Sequence, residues 1–439
     1  MIEAHGLGGA TDLPIPASLA IAGGAAALVL SFVVLLLAWR EPRFDGHNTG
    51  RQVPAALGRF ADSRGWKITC RVVGVLGLLV TLGLAILGPD SLNNPVFGIF
   101  YAYLWVGLIP ASLLLGPVYR AMSPVRSMHW LLTRISGTDP DEAVFSYPAR
   151  FGYWPAAIAA FAYVWLELVY PGSVNLGPVR LWIAGYVAAM LVGGAIFGRS
   201  WFEHADPFEA FSTVVSHLSL WGRDHDGRLV FLSPLRNLAR LEPRPGLVAL
   251  VAVLLGSTAY DSFRGLNRWV RFVQGSELNP TWLGSAGLIS AVAVVGLTFS
   301  AATLAATSRP IGFTRRQLPS ALAHSIAPII VGYFIAHYLS FLVEYGQVTM
   351  IQLSDPMNNG ADLLGISGEE ANYFLSLHPT LLASIKVLAI VTGHIAGAVA
   401  AHDRALSVLP RRHQVTGQLP LLAAMVLYTY AGLYLLFGS

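Results

Sequence analysis

Cysteine is nearly absent. The single thiol, Cys70, excludes an internal disulfide framework and any thiolate metal cluster, so a metal site would have to be built from histidine and carboxylates. Charge is scarce as well: 12% of residues are charged against 54% hydrophobic, a balance that no water-soluble domain of 439 residues carries on its surface. Lysine is almost missing, with Lys67 and Lys386 the only two among 28 basic residues. Such arginine bias points to a GC-rich bacterial genome and hence to the bacterial plasma (inner) membrane. The basic residues are dispersed instead of forming one stripe, which argues against a nucleic-acid partner. The chain contains no H-E-x-x-H, no Walker loop, no G-x-S-x-G, no low-complexity segment and no linker long enough to set off a soluble domain. The first sixteen residues hold no Lys or Arg and therefore lack the basic region of a secretory signal peptide; they are expected to be retained.

What the chain has in abundance is apolar runs. They recur at 15–39, 72–87, 97–118, 152–169, 179–197, 246–260, 281–306, 319–343, 379–401 and 419–437, most reaching the roughly 20 residues that cross a hydrocarbon core. The sixth is the short one. Loop charge orients them, because alternate loops should be basic on the cytoplasmic side. The loops after spans one, three, five, seven and nine carry the arginines, whereas the other side holds only Arg180, Arg264, Arg268 and Arg271. The expected architecture is an all-α polytopic transmembrane bundle of about ten spans, N-out and C-out, forming a single integral membrane domain over 1–439. Residues 1–14 form its extracytoplasmic N-terminus, 198–245 a cytoplasmic amphipathic loop and 346–378 an extracytoplasmic loop.

Two cytoplasmic loops carry helical patterns. Asp206-Pro207 offers an N-cap with proline at the first helical position, followed by Phe208, Phe211, Val215 and Leu218 at helical spacing; Ser123-Pro124 opens a similar segment with Val125, Met128, Leu132 and Ile135. Both read as amphipathic helices in the membrane interface. Their common offset also superposes spans two and three on spans four and five, which suggests a duplicated two-helix module, with unrelated loops as the competing reading.

Ionisable groups inside spans are costly and mark pathways or sites. In span eight, Tyr333, His337, Ser340 and Glu344 fall on one helical stripe, and Pro328 is expected to kink the helix and free the carbonyl of His324. In span nine, Lys386, Gly393 and Gly397 share a face with His394 on its flank, and the Gly-x-x-x-Gly spacing invites a neighbouring helix. Two polar layers result. The outer one comprises Tyr333, His337, Glu344 and Lys386, able to recruit Glu167 and Asp261 with Arg264, and an ion pair of Lys386 with Glu344 or Glu167 would account for the lysine. The inner one gathers His324 and His394, with His204 and Asp206 across a loop; His402, Asp403 and Arg404 read individually as a solvated helix end. Three chemistries suit such groups: a divalent metal on His324, His337 or His394 that activates water, a proton relay in a transporter or channel-like protein, and haem ligation in a scaffold subunit. Spacing alone leaves all three open.

The stretches HGLGGATDLPIP, FGRSWFEHADPFEAF, LLGSTAYDSF, IAHYLSFL and GHIAGAVAAHDRAL, spread over nearly the whole chain, resemble bacterial multispanning proteins named fenitrothion hydrolase, the membrane subunit of an organophosphate hydrolase. The resemblance implies cleavage of a small lipophilic phosphotriester with release of a nitrophenol, and a partner subunit; it carries no catalytic residues over. A neutral triester would concentrate in the bilayer and reach a site between helices. In that setting His337 or His394 would bind metal or act as base, Glu344 would orient it and Lys386 would supply positive charge.

Overall fold

The computed structural model describes residues 12–44, 50–139, 143–307 and 309–437. Residues 1–11 of the expected extracytoplasmic N-terminus lie outside that range. The principal helices are, in chain order, α1 (Ala17–Ala38), α2 (Arg64–Leu87), α3 (Gly98–Leu115), α4 (Pro124–Ser136), α5 (Trp154–Leu168), α6 (Leu176–Phe197), α7 (Pro207–Ser216), α8 (Leu247–Arg264), α9 (Pro280–Leu304), α10 (Ala327–Ser340), α11 (Pro379–Val408) and α12 (Leu419–Phe437). Among the described residues nine helical stretches are long and apolar enough to cross a bilayer, α10 lying inside the 40-residue run Arg315–Ser354 and α12 inside Thr416–Phe437. In lipid only structures that satisfy their own backbone survive, and these helices do so. The chain is a multi-pass α-helical membrane protein.

The tenth apolar helix is α5, and at 15 residues it falls short of a full span. The short member is thus the fourth and not the sixth: α8 continues through Asp261 and Ser262 to Arg264, because those polar groups find partners within the protein.

The chain forms two compact units, the first taking Met1–Asn48, Leu235–Phe341 and Tyr373–Ser439, the second Thr49–Pro234 and Leu342–Asn372. In the first, α10 and α11 pack so closely that a Cβ on Gly393 would stand 2.5 Å from the Pro328 carbonyl oxygen, and one on Gly397 2.7 Å from that of Ser325. The small-residue face of span nine therefore meets α10, as its spacing suggests. Pro328 acts by a break more than a bend: a 3₁₀ turn, Ala323–Ile326, precedes α10, and the proline sits in the first turn of the new helix, where its missing N–H costs nothing.

In the second unit, α3 opens as a π-helix (Gly98–Val106) before turning α-helical at Leu108. A small antiparallel sheet, unannounced by the sequence pattern, joins β1 (Arg51–Gln52), β2 (Trp221–Arg223) and β3 (Leu229–Phe231) in the order β1-β3-β2. Helix α7 corrects an expectation. Phe208, Phe211, Val214 and Val215 are all fully buried, so α7 is a core helix and not one lying in the interface. Its phenylalanines complete an aromatic cluster with Trp105, Tyr163 and Trp182, which holds them more strongly than lipid would. Helix α4 is amphipathic as expected, with Val125 buried and Leu131, Leu132 and Ile135 exposed.

The two connections from which the repeat is read share their backbone geometry. Helix α3 ends at Gly116 (φ 79°, ψ −151°) and α6 at Gly198 (φ 60°, ψ −147°), left-handed conformations that favour glycine. Each is followed by a short helix, Val118–Met122 or Arg199–Ala205, then by a capping residue with ψ 115° (Ser123) or 116° (Asp206), then by a proline that opens α4 or α7. Both side chains cap as such residues should: Ser123 accepts from the Arg126 amide, and Asp206 accepts from those of Phe208 and Glu209. Two ion pairs, Arg120–Glu203 and Arg126–Glu209, each join residues 83 apart, the separation that also relates Ser123 to Asp206.

Candidate functional site

Helix α8 delivers two consecutive residues, Asp261 and Ser262, to opposite edges of one imidazole. His337 of α10 has Nε2 2.9 Å from Asp261 Oδ2 and Nδ1 3.2 Å from Ser262 Oγ. Neighbouring residues on a helix diverge by about 100°, which lets one turn of backbone hold both ring nitrogens at once. The arrangement is reciprocated from α10, where the consecutive His337 and Tyr338 both reach Asp261, the Tyr338 hydroxyl donating to Oδ2 at 2.9 Å. Arg264, one turn on from Asp261, donates from Nε to Oδ1 at 2.8 Å. The Tyr333 hydroxyl donates to Ser262 Oγ at 3.0 Å.

The donor and acceptor inventory orders this network. An ionised Asp261 only accepts, so His337 carries its proton on Nε2 and leaves Nδ1 to accept from the Ser262 hydroxyl. The serine oxygen in turn accepts from Tyr333. The serine hydroxyl has one longer alternative, the Thr258 carbonyl at 3.4 Å. Asp261, His337, Tyr333 and Tyr338 are buried, while Ser262 is partly exposed at the end of α8. Arg264 balances the buried carboxylate.

Of the stripe expected on span eight, Tyr333 and His337 are brought together. Ser340 is buried, its Oγ without a hydrogen-bond partner among the described residues. Glu344 lies beyond the end of α10, in a π-helical turn (Phe341–Tyr345) that winds less per residue than an α-helix and takes it off the straight stripe; it belongs to the second unit, as does Glu167 of α5. Lys386 is buried in α11, and the acidic group of its own unit whose field reaches it is Asp12. His394 and His324 are both buried. His394 Nδ1 lies 2.9 Å from the carbonyl of Ile390 on its own helix, while Nε2 has no hydrogen-bond partner among the described residues. Among those residues no three His, Cys, Asp or Glu side chains converge as a metal site would need.

The C-terminal end of α11 departs from the solvated end expected of it. His402 and Asp403 are buried. His402 Nε2 meets the Trp39 carbonyl at 2.9 Å and Nδ1 meets Gln418 Oε1 at 2.8 Å. Asp403 accepts from the Trp39 indole (3.1 Å) and from the backbone amides of Arg43 (2.6 Å) and Phe44 (3.1 Å), and Arg404 donates to the Ala239 carbonyl at 2.6 Å. His402 and Asp403 fasten the chain leaving α1, a structural task. His204 stacks on Tyr147 and its Nδ1 lies 2.9 Å from the Ser200 carbonyl, and Asp206 caps α7; both serve the second unit.

Ser262 and Tyr338 are the members that sequence reasoning overlooks. A serine in an apolar helix usually bonds its own backbone, and only the adjacent Asp261 hints at more. Comparison of the chain with protein-family models, with curated proteins and with solved structures returns no match. Fold and site together define an integral membrane protein of α-helical, multi-pass class with an Asp–His–Ser hydrogen-bond chain in its first unit, the aspartate and histidine buried and the serine partly exposed.

Proposed function

We propose that this membrane protein hydrolyses a small lipophilic ester, with Ser262 as nucleophile, His337 as base and Asp261 as the residue that positions it. The observation that carries the reading is the continuous chain Ser262 Oγ to His337 Nδ1 and His337 Nε2 to Asp261 Oδ2. In such a chain the serine proton passes to Nδ1 as Oγ bonds to the phosphoryl or carbonyl centre, and the leaving group departs with its electron pair. Asp261 holds the imidazolium so formed. The imidazolium gives its proton to the departing group and is a base again; water then loses a proton to Nδ1 as its oxygen bonds to the same centre, and that proton passes to Oγ as the bond to Ser262 breaks. Tyr333, already donating to the serine oxygen, stands close to charge developing on the substrate. The resemblance to the fenitrothion hydrolase group makes a neutral phosphotriester with a nitrophenolate leaving group the first substrate to try. This route needs no metal.

Membranes holding equal amounts of protein should release nitrophenol from a nitrophenyl phosphotriester or carboxylic ester, and S262A and H337A should each slow release by about 10²–10⁴-fold. A fluorophosphonate should label the unsubstituted protein at Ser262 and leave S262A unlabelled. Unchanged turnover and labelling in both variants would remove the reading.

The unbroken run of hydrogen bonds from Tyr333 to Asp261 favours a second reading, proton transfer coupled to transport. Proton-dependent solute flux in proteoliposomes, lost in H337A and unaccompanied by ester turnover, would select it.

A further inference from the structure

The second unit contains a cavity of about 330 Å³ that the site above does not use, lined by Arg71, Arg120, Arg126 and Arg199 together with Ser123 and Ser127. We infer that this cavity binds a phosphate group, and that the group belongs to an anionic phospholipid headgroup.

The geometry leaves the arginines with donors to offer. A guanidinium has five N–H groups in a planar fork. Arg126 spends Nε and one terminal nitrogen on Glu209, at 2.6 Å each, and Arg120 spends one nitrogen on Glu203 at 2.5 Å. Arg71 lies over the Trp130 ring, 4.7 Å from its centroid, a contact that occupies its face and leaves its edge. The carboxylates answering these cations are Glu203 and Glu209, with Asp139 the one acid in the lining itself among the described residues. Four cations thus face three anions, and the pair Arg126–Glu209 is internal to the fold. Arg71, and the N–H groups that Arg120 does not give to Glu203, remain to meet a ligand, and forked donors suit phosphate oxygens.

A lipid is favoured over a free ion by what surrounds the cavity. The two helices that supply Arg71 and Arg126, α2 and α4, also carry bare apolar surface: Val72, Val73 and Leu76 on α2, and Leu131, Leu132 and Ile135 on α4, are all exposed. A headgroup seated on the arginines would place its acyl chains along that surface. The cavity belongs to the face where loop charge gathers arginine, which is the face of anionic lipid.

The test is native mass spectrometry of the full chain in detergent, with nanodiscs as the binding format, using phosphatidylglycerol, phosphatidylcholine and soluble glycerol phosphate as probes. Phosphatidylglycerol should be retained and phosphatidylcholine not, and the double variant R71Q/R120Q should lose roughly tenfold or more in affinity for it. D139N, which removes the acid from the lining, should bind more tightly, and this covers the case in which the arginine variant fails to fold. Binding of glycerol phosphate as strong as that of phosphatidylglycerol would keep the phosphate site and overturn its assignment to lipid. Equal retention of phosphatidylcholine, or affinities unmoved in both variants, would overturn the site.

Discussion

Asp206 offers a perturbation whose sign and size both follow from its surroundings. Its carboxyl is fully buried at the start of α7, and its pKa is pushed up to about 7, first by burial and then by neighbouring Glu209, against the opposing pull of the Tyr186 hydroxyl and the amides of Glu209 and Phe208. In the unfolded chain the group has its ordinary value of 3.8. Below about 4 both states hold the proton and Asp206 contributes nothing to pH dependence. Between about 4 and about 7 the unfolded state loses the proton first, so stability falls as pH rises, and above about 7 the full cost remains. A displacement from 3.8 to about 7 amounts to roughly 4 kcal/mol. Asparagine imitates the protonated acid. Its oxygen can accept from Phe208 N and Glu209 N as Oδ1 does, at 3.0 and 3.3 Å, and its amide can donate to the Tyr186 hydroxyl, which lies 2.8 Å from Oδ2 and can turn its own proton toward the Tyr119 hydroxyl 2.9 Å away. Apparent unfolding temperature in mild detergent should therefore decline from pH 5 to pH 8.5 in the unsubstituted protein and stay level in D206N, which should be the more stable of the two at pH 8.5. D206A should also lose the pH dependence but lie about 1 kcal/mol below D206N at both pH values, through the missing cap. Parallel declines in D206N and the unsubstituted protein would refute the reasoning, because some other group would then be titrating.

Two further outcomes concern packing. Gly397→Val should lower the unfolding temperature by the several degrees that correspond to about 1–3 kcal/mol of overpacking, since its Cβ would meet the Ser325 carbonyl at 2.7 Å, whereas Gly185→Ala, with open space around it in α6, should not; equal effects at both positions would mean that the α10–α11 contact is looser than described. Glu209→Gln should destabilise by about 3–5 kcal/mol, because Arg126, whose side chain is only 15% exposed, then loses its bidentate partner, while the apolar pair R126M/E209L should cost less than either single change in chemical unfolding; additive losses would show that the two side chains do not act as a pair.

Hydrophobic runs are legible in a sequence because lipid imposes one rule on every helix that faces it, and the span positions follow from that rule. What lipid does not see is harder to read. Phe208 and Phe211 recur at helical spacing whether they face acyl chains or, as here, the rings of Trp105 and Tyr163. His337 stands out as an ionisable residue in an apolar run, yet its partners come from α8, and contacts between helices so far apart in the chain leave no mark in local periodicity. The straight-helix projection that groups Glu344 with His337 fails for a comparable reason. A π-turn beginning at Phe341 changes the winding, and nothing in the string FLVEY announces it.

The ion pairs of the second unit bear on how its two-helix modules came to fit together. Equivalent positions of two copies meet side by side only near a two-fold axis, where each residue faces its own counterpart. With identical copies such a contact would set arginine against arginine or glutamate against glutamate, a repulsion at two places a few residues apart. The chain instead has Arg120 and Arg126 in the first module and Glu203 and Glu209 in the second, with Glu209 almost wholly buried. The modules are therefore complementary and not interchangeable. The same asymmetry puts Arg120 and Arg126 beside Arg71 of α2 in the lining of the cavity, which Arg199 of the second module completes.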